Sequence, residues 1–343
     1  MYTTPTENLP PRRHMPYADL IGLGSYLPER VLSNADLEAM VDTSDEWITT
    51  RTGIRERRIT AEGEATSHLA IEASRLALAD AGVGPDEIDL IIIGTSSPDM
   101  LMPSTACIVQ AALGMTCPAF DVNAACTGFV YALHCATAAI ESGRARTVLL
   151  VGADALSRFI DYSDRATCVL FGDGAGAVVL RASDTPGVLA IELGADGTGV
   201  DALKIPGGGS ALPLNREVVD RNLNTIKMNG TEVYKFAVRA IPMATRRVLD
   251  ASGLTVDDLA WLVPHQANQR IISTVGEALG MPPERVFSHI DHTGNTSAAS
   301  IPLALTDLYT ADRLRPGDNL ALVGFGAGLT WGAAVIRWTK ETR

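Results

Sequence analysis

The sequence predicts an α/β protein built from two similar, βαβ-rich halves, about 18–184 and 185–343, related by a pseudo-two-fold axis. Three observations carry this. The composition forms a core, with 46% hydrophobic and 20% charged residues in a chain of 343. Period-2 or wholly apolar runs alternate with helical stretches along the chain. An internal repeat then recurs at about half the chain length.

The elements follow in order. Met1–Tyr17 is polar and proline-bearing, without an apolar signal core, and reads as a flexible tail. A strand at Leu20-Ile21-Gly22-Leu23-Gly24 resembles Ala190-Ile191-Glu192-Leu193-Gly194. Leu78 to Ile92, a helix end, Gly82, an acidic turn and a strand, matches Leu249 to Val263. Each strand leads to a helix closing on Leu-Gly-Met, at Leu113–Met115 and Leu279–Met281. Leu150-Val151-Gly152 matches Leu322-Val323-Gly324, and the strand from Gly176 to Arg181 matches Gly332 to Arg337. Each match alone is weak; their common order is not. Equivalent segments then meet near the axis, and one site can draw residues from both halves.

Composition also excludes. There are 28 Lys+Arg against 40 Asp+Glu, and the net charge of -12 repels a phosphate backbone, so no nucleic-acid partner is expected. No apolar run reaches the roughly 18 residues that span a bilayer. The five cysteines (Cys107, Cys117, Cys126, Cys135, Cys168) are odd in number and form no CxxC pair, which fits reduced thiols in a cytoplasm.

One cysteine stands apart. The strand Ala119–Val122 runs through Asn123-Ala124-Ala125 to Cys126, and a helix follows from about Thr127 to Ser142, stopping at Gly143. That helix is apolar on nearly every side and should be buried centrally. Cys126 at its amino end should be shifted toward thiolate by the helix dipole and free N–H groups. The other cysteines read as small core residues. His265 emerges where the strand Trp261–Pro264 turns into Gln266-Ala267-Asn268, at the repeat-equivalent of Gly94. Strand carboxyl ends are where α/β folds place ligands. His14, His68 and His134 read as structural. In the run from His289 to Ser300, Asn295 belongs just before the second central helix, facing Cys126 across the axis. Its plainer role is a helix cap beside the turn residue Gly294. His289 and His292 lack a carboxylate or thiol set, so no metal is assigned.

Two glycine clusters remain. Gly172-Asp173-Gly174-Ala175-Gly176-Ala177 fits a dinucleotide pattern formally, but it precedes the strand Ala177–Arg181 instead of opening a helix, which excludes NAD. Gly324-Phe325-Gly326-Ala327-Gly328 ends one strand and starts the next, and its N–H groups could face an oxyanion.

Cys126, His265 and Asn295, in that order, resemble the condensing enzymes of the thiolase superfamily and, among them, the β-ketoacyl-acyl carrier protein synthase III family. The matching words include Asp42-Thr43-Ser44-Asp45-Glu46-Trp47-Ile48 with Arg51-Thr52-Gly53-Ile54, the Cys126 segment, Pro264–Asn268, Gly294–Ser297 and Gly326–Gly332. The resemblance covers nearly everything after the tail. It implies a thiolase-like fold with a layered α-β-α-β-α core and an acyltransferase that initiates fatty-acid synthesis. Related readings are a starter synthase for polyketide or other secondary-metabolite assembly, and a non-catalytic docking subunit.

The resemblance further implies that Cys126 takes the acyl group from acyl-CoA. Malonyl-acyl carrier protein then loses carbon dioxide against neutral donors from His265 and Asn295, each worth about 3 kcal/mol of barrier. Backbone N–H groups of Cys126 and Ala327 would form the oxyanion hole. Trp47 and Arg51 would hold the CoA adenine ring with Arg165 opposite, and Asn268 the pantetheine arm. Met102, before Pro103-Ser104, would close the acyl pocket of a partner subunit, making the protein a homodimer. Lys235, Arg239 and Arg246 share a helix face that, with Arg270, would dock the acidic carrier; Gly276 and Glu277 stand where some relatives carry basic residues. The resemblance makes acyl-CoA and malonyl-carrier protein the expected substrates and implies no cofactor.

Overall fold

The computed structural model describes residues 15–341. The tail expected as far as Tyr17, with His14, lies outside the described residues through position 14, and Tyr17 is already strand, paired with Ser183. In chain order the main elements of the first half are β1 (Tyr17–Tyr26), α1 (Asp45–Thr52), α2 (Thr66–Ala81), β2 (Leu90–Gly94) and α3 (Thr105–Ala112). β3 (Ala119–Val122), α4 (Gly128–Glu141), β4 (Thr147–Ala155) and β5 (Asp173–Ser183) follow. The chain continues through β6 (Val188–Ala195), α5 (Gly230–Ser252), β7 (Leu259–Pro264) and α6 (Gln269–Leu279). It ends in α7 (Ser300–Thr310), β8 (Asn319–Gly326) and β9 (Thr330–Arg337).

One sheet has the order β1-β5-β4-β2-β3 and the other β7-β8-β9-β6. β2 runs parallel to β3 and β4, and β7 parallel to β8; the remaining pairs are antiparallel. Where the first sheet carries β3, the second keeps a single parallel bridge, Leu262 to Val286.

The two sheets face each other across α4 and α7. Their shared core joins Leu20, Ile92 and Leu150 of one sheet to Val263, Leu322 and Ile336 of the other through Phe129, Leu133, Ile301 and Leu305 of the helices. The outer face of the first sheet is covered by α2, whose Leu69, Ala70, Ala73 and Ala77 recur at helical spacing. α5 and α6 cover the second sheet through Phe236, Ile241, Ile271 and Val275. Five layers result, each fully buried Leu, Ile or Phe contributing roughly 1.5–3 kcal/mol. Among the described residues no helix is long and apolar enough to cross a membrane.

Pairing registers locate the repeat. Ile91 pairs with Leu149 as Leu262 does with Ala321, and Gly152 opposes Gly176 as Gly324 opposes Gly332. One match is corrected. Leu20 opposes Leu180 and Val188 opposes Ile336, so the mate of the Leu20 strand starts two residues before Ala190. A slip of two returns every side chain to the same face, so apolar alternation does not detect it. A second correction concerns α4: Phe129, Leu133, Ala136 and Ile140 are buried, but His134 and Ala138 are exposed. Alanines on that side suit either surface or core. Asp173–Gly176, expected to precede a strand, already lies within β5.

Glycine lets the central helices seat against the sheets. A Cβ on Gly152 would stand 2.2 Å from the Ala298 carbonyl oxygen, and one on Gly94 would stand 2.6 Å from the Gly128 carbonyl carbon. These approaches bring the first turns of α4 and α7 together.

Candidate active site

The two first turns are built alike. After β3 the chain passes Asn123 into a 3-10 turn, Ala125–Thr127, before α4; after Asn295 it passes into a second, Ser297–Ala299, before α7. Ala125 has φ 49° and Ser297 φ 51°, left-handed values that cost a side-chain-bearing residue on the order of 1 kcal/mol or more. In each turn an asparagine Oδ1 accepts a backbone N–H two residues on: Ala125 N to Asn123 at 3.3 Å, Ser297 N to Asn295 at 2.9 Å.

Asn295 is therefore oriented by its own turn. With Oδ1 occupied, its amide nitrogen is left as a donor. Its backbone is fixed by the first half, accepting from Gly172 N at 3.0 Å and donating to Leu170 O at 2.8 Å. His265 follows β7 and donates its N–H to Val323 O at 2.7 Å. Its ring Nδ1 lies 2.7 Å from Ser300 Oγ, and the Phe325 ring stands edge-on at 5.5 Å. Burial pushes the imidazole down to about 3, so it is neutral near pH 7.

Cys126 lies in the 3-10 turn just before α4, and only 7% of it is exposed. Ser297 Oγ–H donates to its sulfur at 3.4 Å. The expected drop toward thiolate is overturned: burial, with the Asp154 carboxylate adding to it, pushes the thiol up to about 12. The magnitudes explain the outcome. A helix N-terminus supplies at most about 2 kcal/mol, some 1.5 pKa units, and the opposing Ser297 hydrogen bond is outweighed by desolvation on burial.

Two cavities meet at Cys126, Phe171 and Leu203. One, of about 270 Å³, is lined by Ser96, Leu156, Ile205, Ile226, Ser297 and Ala327. The other, of about 130 Å³, is lined by His265, Asn295, Phe325, Asn268 and Tyr234. Cys126, His265 and Asn295 thus border one space. Gly326 presses on the Cys126 turn, where a Cβ would sit 2.7 Å from Cys126 N, and Ala327 follows at the cavity wall.

The remaining predicted residues lie around this centre. Trp47 on α1 is flanked by the guanidinium carbons of Arg51 at 4.8 Å and Arg165 at 4.9 Å. Arg165 also donates to Asp42 O at 2.8 Å, and Asn268 Nδ2 donates to Arg51 O at 3.1 Å, joining α1 to the start of α6. Met102 is 82% exposed and lines neither cavity of its own chain. Lys235 and Arg239 are exposed on α5, which packs on α6 carrying exposed Arg270; Arg246 is also exposed, and its guanidinium donates to Ala278 O at 2.6 Å.

A carboxylate does reach His289 and His292, correcting the sequence reading. Asp307 of α7 meets His289 Nδ1 at 2.7 Å, and His292 Nδ1 pairs with Asp291 at 2.9 Å. The ligand atoms of His289, His292 and Asp307 all lie within 4.8 Å of one another. Sequence distance hid Asp307, which only the return of α7 brings close.

Ser297, Ser300 and Phe171 are site residues that sequence reasoning missed. Both serines stood within the Gly294–Ser300 run, where Asn295 drew the attention.

The chain matches the family model 3-Oxoacyl-[acyl-carrier-protein (ACP)] synthase III over residues 120–197 and that family's C-terminal model over residues 249–338. It is 52% identical over 325 residues to a β-ketoacyl-[acyl-carrier-protein] synthase III of Caldanaerobacter subterraneus, covering 94% of this chain and 98% of that one. The crystal structure of 3-oxoacyl-[acyl-carrier-protein] synthase III from Aquifex aeolicus superposes with a TM-score of 0.87 at 46% identity, over 94% of this chain and all 100% of that one. The priming β-ketosynthase of the R1128 polyketide pathway gives a TM-score of 0.89 at 39% identity, over 98% of this chain and 99% of that one.

Proposed function

The chain belongs to the β-ketoacyl-[acyl-carrier-protein] synthase III family, and from that premise we propose that Cys126, His265 and Asn295 carry out its reaction. It is an acyltransferase of thiolase fold, a condensing enzyme that initiates fatty-acid synthesis. In our reading the Cys126 sulfur attacks the acyl-CoA thioester, and the thiol proton ends on the departing CoA sulfur. A sulfur that rests protonated loses its proton as the bond forms. N–H groups of Cys126 and Ala327 face the tetrahedral oxygen. Malonyl-carrier protein then loses carbon dioxide, and the enolate oxygen takes hydrogen bonds from His265 and Asn295. The carbanion attacks the acyl-Cys126 carbonyl, releasing β-ketoacyl-carrier protein and a Cys126 thiolate, which takes up one proton from solvent to return to the resting thiol.

One observation carries this reading: two neutral donors, an uncharged buried imidazole and an amide whose oxygen is already engaged, border the same cavity as the nucleophile. Neutral donors suit an enolate generated without a strong base. The chemistry uses no resident cofactor or metal. Trp47, Arg51, Arg165 and Asn268 bind CoA, and Lys235, Arg239, Arg246 and Arg270 bind the carrier. Met100, Leu101 and Met102, exposed at 48%, 85% and 82%, support a homodimer in which Met102 closes the partner's acyl pocket. All five cysteines are free, which supports a cytoplasmic setting. The R1128 ketosynthase favours a second reading, in which the product primes polyketide assembly; a panel of acetyl-, branched and medium-chain CoA primers separates the two.

The test is His265→Ala. This variant takes up the acyl group but releases no carbon dioxide from malonyl-carrier protein; condensation at the wild-type rate would refute the assignment.

A further inference from the structure

The repeat sets two pairs of positions in correspondence. Pro264 opposes Val323 as Ile93 opposes Val151, which makes Gly94 the mate of His265. The two 3-10 turns, each followed directly by its central helix, make Gly128 the mate of Ser300. In the first half this pair is glycine on glycine, in backbone contact. In the second half the same places hold an imidazole and a hydroxyl, joined at 2.7 Å and exposed by 2% and 0%.

Ser300 is the first residue of α7, and its hydroxyl bonds across to the residue that follows β7. Within their helices the buried hydroxyls of Ser74, Thr245 and Thr306 donate to the carbonyl four residues back, at Ala70, Ile241 and Pro302. Ser300 is instead bonded to His265 Nδ1. If Nδ1–H donated, the hydroxyl proton would have no acceptor in a buried site, a cost of about 1–3 kcal/mol. Donation from Oγ–H to Nδ1 satisfies both groups and leaves the proton on Nε2.

We propose that Ser300 is a positioning residue that fixes His265 in the tautomer with Nε2–H, the form that can donate to the enolate. The inference rests on the decarboxylation role given to His265 above. The imidazole cannot supply the donor by becoming cationic, because its burial keeps it neutral. Nδ1 must therefore accept, and Ser300 supplies the proton that it accepts. Acylation of Cys126 does not use this donor.

The experiment compares wild type with Ser300→Ala in two assays, acyl uptake from acyl-CoA by intact mass and carbon dioxide release from malonyl-carrier protein. Uptake stays within about twofold, while release falls at least about tenfold with little change in KM, the scale on which a partner that orients a functional histidine acts. Equal losses in both assays, or unchanged release, would overturn the proposal. Selective 15N-histidine spectra of the wild-type protein, with His265→Ala used to assign the ring signals, give a readout that needs no Ser300 variant. Nε2 protonated and Nδ1 accepting is the result expected; Nδ1 protonated rejects it. A wild-type protein that releases no carbon dioxide would instead reject the proposed function, leaving the tautomer to be read from the spectra.

Discussion

At the scale of single residues, burial governs the chemistry of the site. Cys126 and His265 move in opposite directions, up to about 12 and down to about 3, for the same reason: each charged form is desolvated. Near neutral pH both are uncharged, so the resting pair is thiol and imidazole, not thiolate and imidazolium. Alkylation of Cys126 by iodoacetamide, followed by peptide mapping, should therefore keep rising from about pH 6 to about pH 9, since only the thiolate reacts. A plateau reached below about pH 8 would show a depressed value. The place of Cys126 between a strand and a helix was legible in the sequence. Its ionisation was not, because a helix dipole is visible in a sequence whereas burial among Ser297, Phe171 and the opposite half is a tertiary fact.

Elements show how the site is held. The strands, the central helices and the order of the repeat were readable because apolar periodicity and glycine stops mark them. The two-residue misplacement of β6 against β1 was not, since period-2 patterns are blind to it. Ser297 and Ser300 were hidden differently: their hydroxyls act across to Cys126 and His265, far away in sequence. Close seating of α7 on β4 depends on Gly152, where a Cβ would meet the Ala298 carbonyl at 2.2 Å. Gly152→Ala should destabilise the protein by more than about 2 kcal/mol in urea unfolding. Gly197→Ala, where nothing lies within 4 Å of the added carbon, serves as the control. Equal midpoints for the two variants would contradict the packing described.

The whole molecule combines a net charge of -12 with an exposed basic face on α5 and α6. An acidic carrier is repelled by the average field and attracted by the local one, so docking should be salt-sensitive and confined to that face. Lys235→Glu with Arg239→Glu should raise KM for malonyl-carrier protein at least about tenfold while acyl uptake from acyl-CoA stays within about twofold. An unchanged KM would place the carrier elsewhere. The same scale explains how a single chain brings Cys126, His265 and Asn295 together: the halves meet through α4 and α7, and each contributes one side of the cavity.

The covalent step is the most direct test of the account. Intact-mass measurement after mixing the protein with acyl-CoA should show the added mass of one acyl group per chain in the wild type and none in Cys126→Ala. Acyl mass retained by Cys126→Ala, or absent from the wild type with every primer tried, would contradict it.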